Sequence, residues 1–227
     1  VYTSELLTPY LVKALESIRY DAIAFGDQDL DCGIPNFIRQ FERLPVVNTN
    51  LTFTKQSIKT PYPAWKIVKT GGLSVAILAV QSKKAYAYTR EITRKSVSIS
   101  DQESAVRETL RALRNEKIDA VILLSHSGFD EDLALAGRVG GVSVIVGGHS
   151  QTLVEKPVAG NGVLVLQAGS NGSHIGVCDI TLEGTQVKAA KNRFIVPDMN
   201  RPEDDPYIRS LIKEYEAAEN AATGSFE

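Results

Sequence analysis

Apolar residues recur at Leu7, Tyr10, Leu11, Ala14 and Ile18 behind the polar pair Thr3 and Ser4. That spacing marks one face of a helix, so the chain is predicted to open with an amphipathic helix. Asp21-Ala22-Ile23-Ala24-Phe25 then reads as a strand stopped by Gly26. Phe37, Ile38 and Phe41 predict a short second helix, and Pro45-Val46-Val47 a second strand. Trp65–Val68 and Leu73–Val80 form a hairpin pattern around Gly71-Gly72. Residues 81–100 are polar and aperiodic and are expected to make a surface excursion.

Order returns at Asp101. A helix through Val106, Leu110 and Leu113 precedes an apolar strand at Ala120–Leu124, a helix near 131–138 and a strand at Val142–Val146. Alternation of this kind predicts an α/β fold with a parallel sheet covered by helices. Beyond Gly147 the pattern turns to hairpins at Val163–Leu166, Ile175–Leu182 and Val187–Val196. From Asp198 come Pro202, Glu203, Asp204, Asp205 and Pro206, then a helix to about Ala218 and a linker-like "NAATGSFE". The expected division is a domain over 1–197 and a C-terminal helix with tail over 198–227.

Composition narrows the function classes. With 227 residues and 43% hydrophobic content, the chain can bury a full core. Twenty-five basic residues against 27 acidic ones, with no basic stripe interleaved with aromatics, argue against a nucleic-acid partner. No apolar run approaches the roughly 20 residues of a membrane-spanning helix. Cys32 and Cys178 are too few for a disulfide framework and wrongly spaced for a zinc knuckle. The start at Val1, with no Met and no leader-like pattern, predicts a processed form or a fragment. Asn50-Leu51-Thr52 and Asn171-Gly172-Ser173 match the glycosylation triplet.

Candidate chemistry lies at the ends of three strands. Phe25 precedes Gly26-Asp27, Leu124 precedes Ser125-His126, and Val146 precedes Gly147-Gly148-His149-Ser150-Gln151. Ligands of open α/β sheets bind beyond the carboxyl ends of strands, so Asp27, His126, His149 and Gln151 are expected to converge there. Imidazole with oxygen donors suits a divalent metal: zinc, manganese, iron or magnesium. His174 is read as structural. On residue type alone, Asp29 and Asp31 read as solvated turn positions capping the helix that starts near Ile34.

"DAVILLSHSGFDEDLALAGRVGGVSVIVGGHSQT" (119–152), "YDAIAFGDQDLDCG" (20–33) and "LVLQAGSNGSHIGVCDITLE" (164–183) together resemble the catalytic domain of the bacterial 5′-nucleotidase and UDP-sugar hydrolase family, within the calcineurin-like metallophosphoesterases. The resemblance runs through most of 5–197. It implies a four-layer α/β/β/α sandwich with metal ligands at Asp27, His126, His149 and Gln151. It also implies that Gln28 stands where the family has its catalytic histidine, with Asp31 at the position of the acid that orients it. Glutamine donates a hydrogen bond but carries no proton near neutrality, a loss of about two to four powers of ten in rate. The family's first two metal motifs align upstream of residue 5, and nothing in this chain replaces them.

Two expectations follow. One is a divergent metallophosphoesterase acting on a small phosphorylated molecule, its chemistry impaired at Gln28. The other is a non-catalytic scaffold or recognition domain, a pseudoenzyme, within a larger exported protein that also carries other modules, a multihaem cytochrome among those seen in altered family members. These 227 residues contain no Cys-x-x-Cys-His haem motif. The resemblance implies a periplasmic or extracellular location.

Overall fold

The computed structural model describes residues 5–54, 60–198 and 205–223. Its elements run α1 (Thr8–Ile18), α2 (Ile34–Phe41), β1 (Leu51–Phe53), β2 (Trp65–Thr70), β3 (Leu73–Gln81), α3 (Glu91–Lys95), β4 (Val97–Ile99), α4 (Gln102–Ala112), β5 (Ala120–His126), α5 (Phe129–Ala136), β6 (Val144–Gly147), β7 (Val158–Gly160), β8 (Val163–Leu166), β9 (Ile175–Glu183), β10 (Gln186–Ile195) and α6 (Pro206–Thr223). Thr3 and Ser4, Pro202, Glu203 and Asp204, and the last four residues of the tail lie outside the described residues. No helix among the described residues is long and apolar enough to cross a membrane.

A six-stranded sheet in the order β2-β3-β5-β6-β8-β7 organises the molecule. β3, β5, β6 and β8 are parallel, with antiparallel β2 and β7 at the edges. The segment read only as hairpins therefore contributes β8 to the parallel sheet, paired with β6. A separate hairpin, β9–β10, is antiparallel. Parallel strands flanked by helices are apolar on both faces, as β3 is through Ala76, Ile77, Leu78, Ala79 and Val80.

Two apolar cores form around the strands and helices of this α/β fold. One joins the sheet to α4 and α5 through Val106, Leu123, Leu135, Val139 and Ile145. The other gathers Phe25, Phe37, Phe41, Val46, Leu51 and Tyr62 under α1 and α2. Asp101 starts α4 by accepting the Ser104 N–H at 2.8 Å.

Several expectations shift. The predicted strands at 21–25 and 45–47 meet in a single parallel bridge, Ile23 to Val46. Ile23 N–H donates to Pro45 at 2.9 Å and Val47 N–H to Ile23 at 3.0 Å. The buried side of α1 passes through Thr8 and Val12, while Ile18 is 55% exposed. Residues 81–100 are no surface excursion: Gln81, Ser82, Ala85, Tyr86, Thr93 and Ile99 are buried, and β4 pairs with β1. Short turns, such as Tyr86 N–H to Lys83 C=O, break up the apolar spacing there and hide it from a periodicity reading. α6 extends to Thr223, so the first residues of "NAATGSFE" are helical. It packs on α1 with Leu211 buried and Tyr10 and Tyr215 edge to face at 5.8 Å. Asn50 is no glycan acceptor in the folded chain, being buried and donating to Gln81 and Ser100 carbonyls.

Phe37 is fully buried between the rings of Phe25, Phe41 and Tyr62. Phe37→Ala is expected to destabilise the fold by about 3–5 kcal/mol, read from denaturant unfolding.

Candidate metal centre

One strand end and two loops at one rim of the sheet bring the polar residues together. His126 is the last residue of β5, in register beside Gln81 of β3. β6 ends at Gly147, and Gly148 N–H returns to the Ser125 carbonyl at 2.8 Å, holding the two strand ends side by side. The following loop carries His149 at φ 73° and Gln151 at φ 58°. Each non-glycine residue in this region costs on the order of 1 kcal/mol or more, so the surroundings must enforce the shape. Ser150 does so: its hydroxyl accepts from Phe129 N–H at 3.0 Å and donates to Gln167 Oε1 at 3.0 Å, with Thr152 Oγ1 at 2.9 Å.

The second loop follows Phe25. A Cβ on Gly26 would lie 2.6 Å from the His126 ring, so only glycine lets the imidazole rest against the backbone here. Asp27 is nearly buried, and its Oδ1 lies 2.8 Å from His126 Nε2. The His126 and His149 rings stand edge to face at 4.9 Å. One ligand atom each from Asp27, His126 and His149 falls within 4.8 Å of the others. Gln28, Asp29 and Gln151 line the same cavity of about 280 Å³. The expected convergence of Asp27, His126, His149 and Gln151 is thus present as geometry, and one carboxylate with two imidazoles is a donor set that fits a divalent cation.

Electrostatics suit these roles. Burial pulls the Asp27 carboxyl up, but the hydrogen bond and charge of His126 and the charge of His149 outweigh it and hold the acid below its ordinary range. His149 is pushed down by burial and then by the neighbouring His126, which favours the neutral, metal-ligating imidazole.

Gln28 opens a 3-10 turn over Gln28–Leu30 and is exposed at the cavity. Asp31 Oδ1 has no hydrogen-bond partner, and the Arg90 guanidinium lies 3.6 Å from it. Neither Asp29 nor Asp31 caps α2, whose N-cap residue is Gly33 at φ 87° with no side-chain cap. Asp29 is instead a loop clasp: its Oδ2 accepts the Gly26 N–H at 2.8 Å, and burial raises its pKa despite that bond. His174 sits just before β9, with Nδ1 2.8 Å from Ser173 Oγ and its ring against Phe194, a structural setting.

Beneath both histidine segments lies Asp132 of α5, fully buried and unremarked in the sequence. The Ser125 hydroxyl donates to its Oδ1 at 2.5 Å and lies 2.8 Å from Ser127 Oγ, which accepts from Gln102 Nε2 at 2.6 Å. Asp132 Oδ2 has no partner and packs against Gly147, where a Cβ would come within 2.2 Å. Burial pushes this carboxyl up to about 7. The sequence signal for Asp132 was its place on the buried face of α5, visible only once the helix is docked.

No protein-family model matches the chain. The 5′-nucleotidase of Homo sapiens is 26% identical over 226 residues, covering 88% of this chain and 39% of that protein. The trifunctional nucleotide phosphoesterase protein YfkN of Bacillus subtilis is 25% identical over 243 residues, covering 90% of this chain and 17% of that protein. Among solved structures, a 5′-nucleotidase precursor from Thermus thermophilus superimposes with a TM-score of 0.84 at 23% identity, over 97% of this chain and 47% of that one. The chain spans less than half the length of these relatives.

Between its ordinary value and about 7, Asp132 holds a proton in the folded chain that the unfolded chain has released. Stability therefore falls as pH rises from about 4 to about 7 and levels off above. Asp132→Asn is expected to flatten that slope and to be the more stable protein at pH 8, measured by denaturant midpoints at about pH 5 and about pH 8.

Proposed function

We propose, on the premise that the chain is a calcineurin-like phosphoesterase domain of the 5′-nucleotidase family, that it holds a divalent cation at Asp27, His126 and His149, with its hydrolytic step impaired at Gln28. The observation that carries the reading is the meeting of three ligand-capable side chains from three separate segments within 4.8 Å. Gln151, on the same cavity, supplies a further oxygen donor. Manganese, zinc, iron and magnesium are the ions to test against this set. A cation there would polarise a phosphoryl oxygen and make bound water a nucleophile near neutral pH.

The side chains present account for binding better than for turnover. Asp27 stays ionised and His149 neutral, the states a cation requires. Gln28 can steady a leaving oxygen with its amide N–H but cannot deliver the proton that oxygen needs. By analogy with the 5′-nucleotidase and nucleotide phosphoesterase relatives, the substrate is a small nucleotide-like phosphoester. The unit that binds it is residues 1–197, with 198–227 as an appended helix and tail, in an exported protein with further domains.

One observation favours the second reading, a non-catalytic scaffold. Asp27 and His126 already satisfy each other at 2.8 Å, so the two segments hold together through a proton alone.

Two measurements separate these readings. Titration of the protein with Mn²⁺ is expected to show saturable binding that His126→Ala weakens by about a hundredfold or more. Hydrolysis of an aryl phosphate with Mn²⁺ is expected to be near background for the natural chain and to rise about a hundredfold in Gln28→His. No Mn²⁺ binding would sink the metal reading; binding without any gain in Gln28→His would leave the scaffold.

A further inference from the structure

Gln81 ends β3 and is completely buried, an unusual place for an uncharged amide. Every polar group it carries is engaged across the layers. Its backbone N–H donates to Asn50 Oδ1 at 2.8 Å, and its carbonyl accepts from Asn50 Nδ2 at 2.9 Å. Its side-chain Nε2 donates to the Phe25 carbonyl at 2.6 Å, and Oε1 faces the Tyr86 hydroxyl at 3.4 Å. In the β3–β5 ladder its partner is His126.

We propose that Gln81 is a positioning residue that sets the separation between Asp27 and His126. Its backbone lies beside His126, and its side chain grips the carbonyl two residues before Asp27. The amide therefore acts as a strut between the sheet that carries the imidazole and the segment that carries the carboxylate. The bridge from Ile23 to Val46 leaves the end of that segment without ladder bonds of its own. The strut supplies what the missing ladder would.

The alternatives to a strut are weaker. An apolar side chain would fill the same volume without orphaning the Phe25 carbonyl only if that carbonyl found another donor. A purely structural amide would need no particular register with His126. The inference rests on the reading of Asp27 and His126 as ligands, so its test carries one readout that needs no metal.

Gln81→Met keeps the length of the side chain and removes its donor. In that variant the Asp27 and His126 side chains are expected to separate beyond hydrogen-bond distance in a crystal structure, and Mn²⁺ affinity to fall about tenfold or more. Gln81→Leu, which has no polar head group to reach the Phe25 carbonyl, is expected to do the same. Val106→Ala, in the other core, lowers overall stability but leaves contact and affinity unchanged, which separates positioning from general loosening. A Gln81→Met protein with the contact intact and natural Mn²⁺ affinity overturns the proposal and leaves the metal reading standing. If the natural chain binds no Mn²⁺, the metal reading fails, and the crystallographic contact alone decides the role of Gln81. Should neither Gln81 variant fold, Tyr86→Phe, which frees the far end of the same amide, must weaken Mn²⁺ binding measurably; unchanged binding overturns the proposal.

Discussion

The hydrogen bond between Asp27 and His126 joins residues 99 positions apart and closes the rim of the molecule. It forms because two kinds of backbone meet there. His126 rides on a strand paired on both sides within a parallel sheet, which fixes it firmly. Asp27 follows a segment with a single bridge, and side chains must hold it: Asp29 against Gly26, and Gln81 against Phe25. A rigid strand end facing a laced loop gives a site whose geometry depends on buried polar contacts more than on secondary structure.

The same division decides what the sequence discloses. The apolar runs of β3, β5 and β6 and the glycines after them place His126 and His149 at strand ends without any structure, because strand patterns are local. The first histidine and the Gly-Gly-His turn are therefore legible, as is the family resemblance they carry. Asp27 is legible by its place after Phe25. Gln81 and Asp132 are not, since an amide at the end of an apolar strand and an acid in a helix rich in acids look solvent-facing until partners arrive from elsewhere in the chain. The misreading of 81–100 has the same origin: Tyr86 and Ala85 are buried by turns whose spacing follows neither the helical nor the strand period.

One departure from the pattern that the resemblance implies lies in the loop after Phe25. Gln28 differs from the residue the resemblance implies there, yet the loop retains its clasp, its turn and its contact with His126. Binding and proton transfer thus separate physically. The first depends on where oxygens and nitrogens sit, and the second on whether one side chain titrates near neutrality. A chain can keep the former after losing the latter, because the Asp29 clasp and the Asp27–His126 contact are made by other side chains than the one at position 28.

Gly26 carries a historical consequence. Its bare Cα is the surface on which the His126 ring rests, with no space left for even a methyl group. Positions 26 and 126 are consequently bound in their order of change: a bulkier residue can arise at the first only after the imidazole at the second has shrunk. A lineage abandoning this histidine would be free to fill the glycine afterwards, and reversal would then have to restore the glycine before the imidazole.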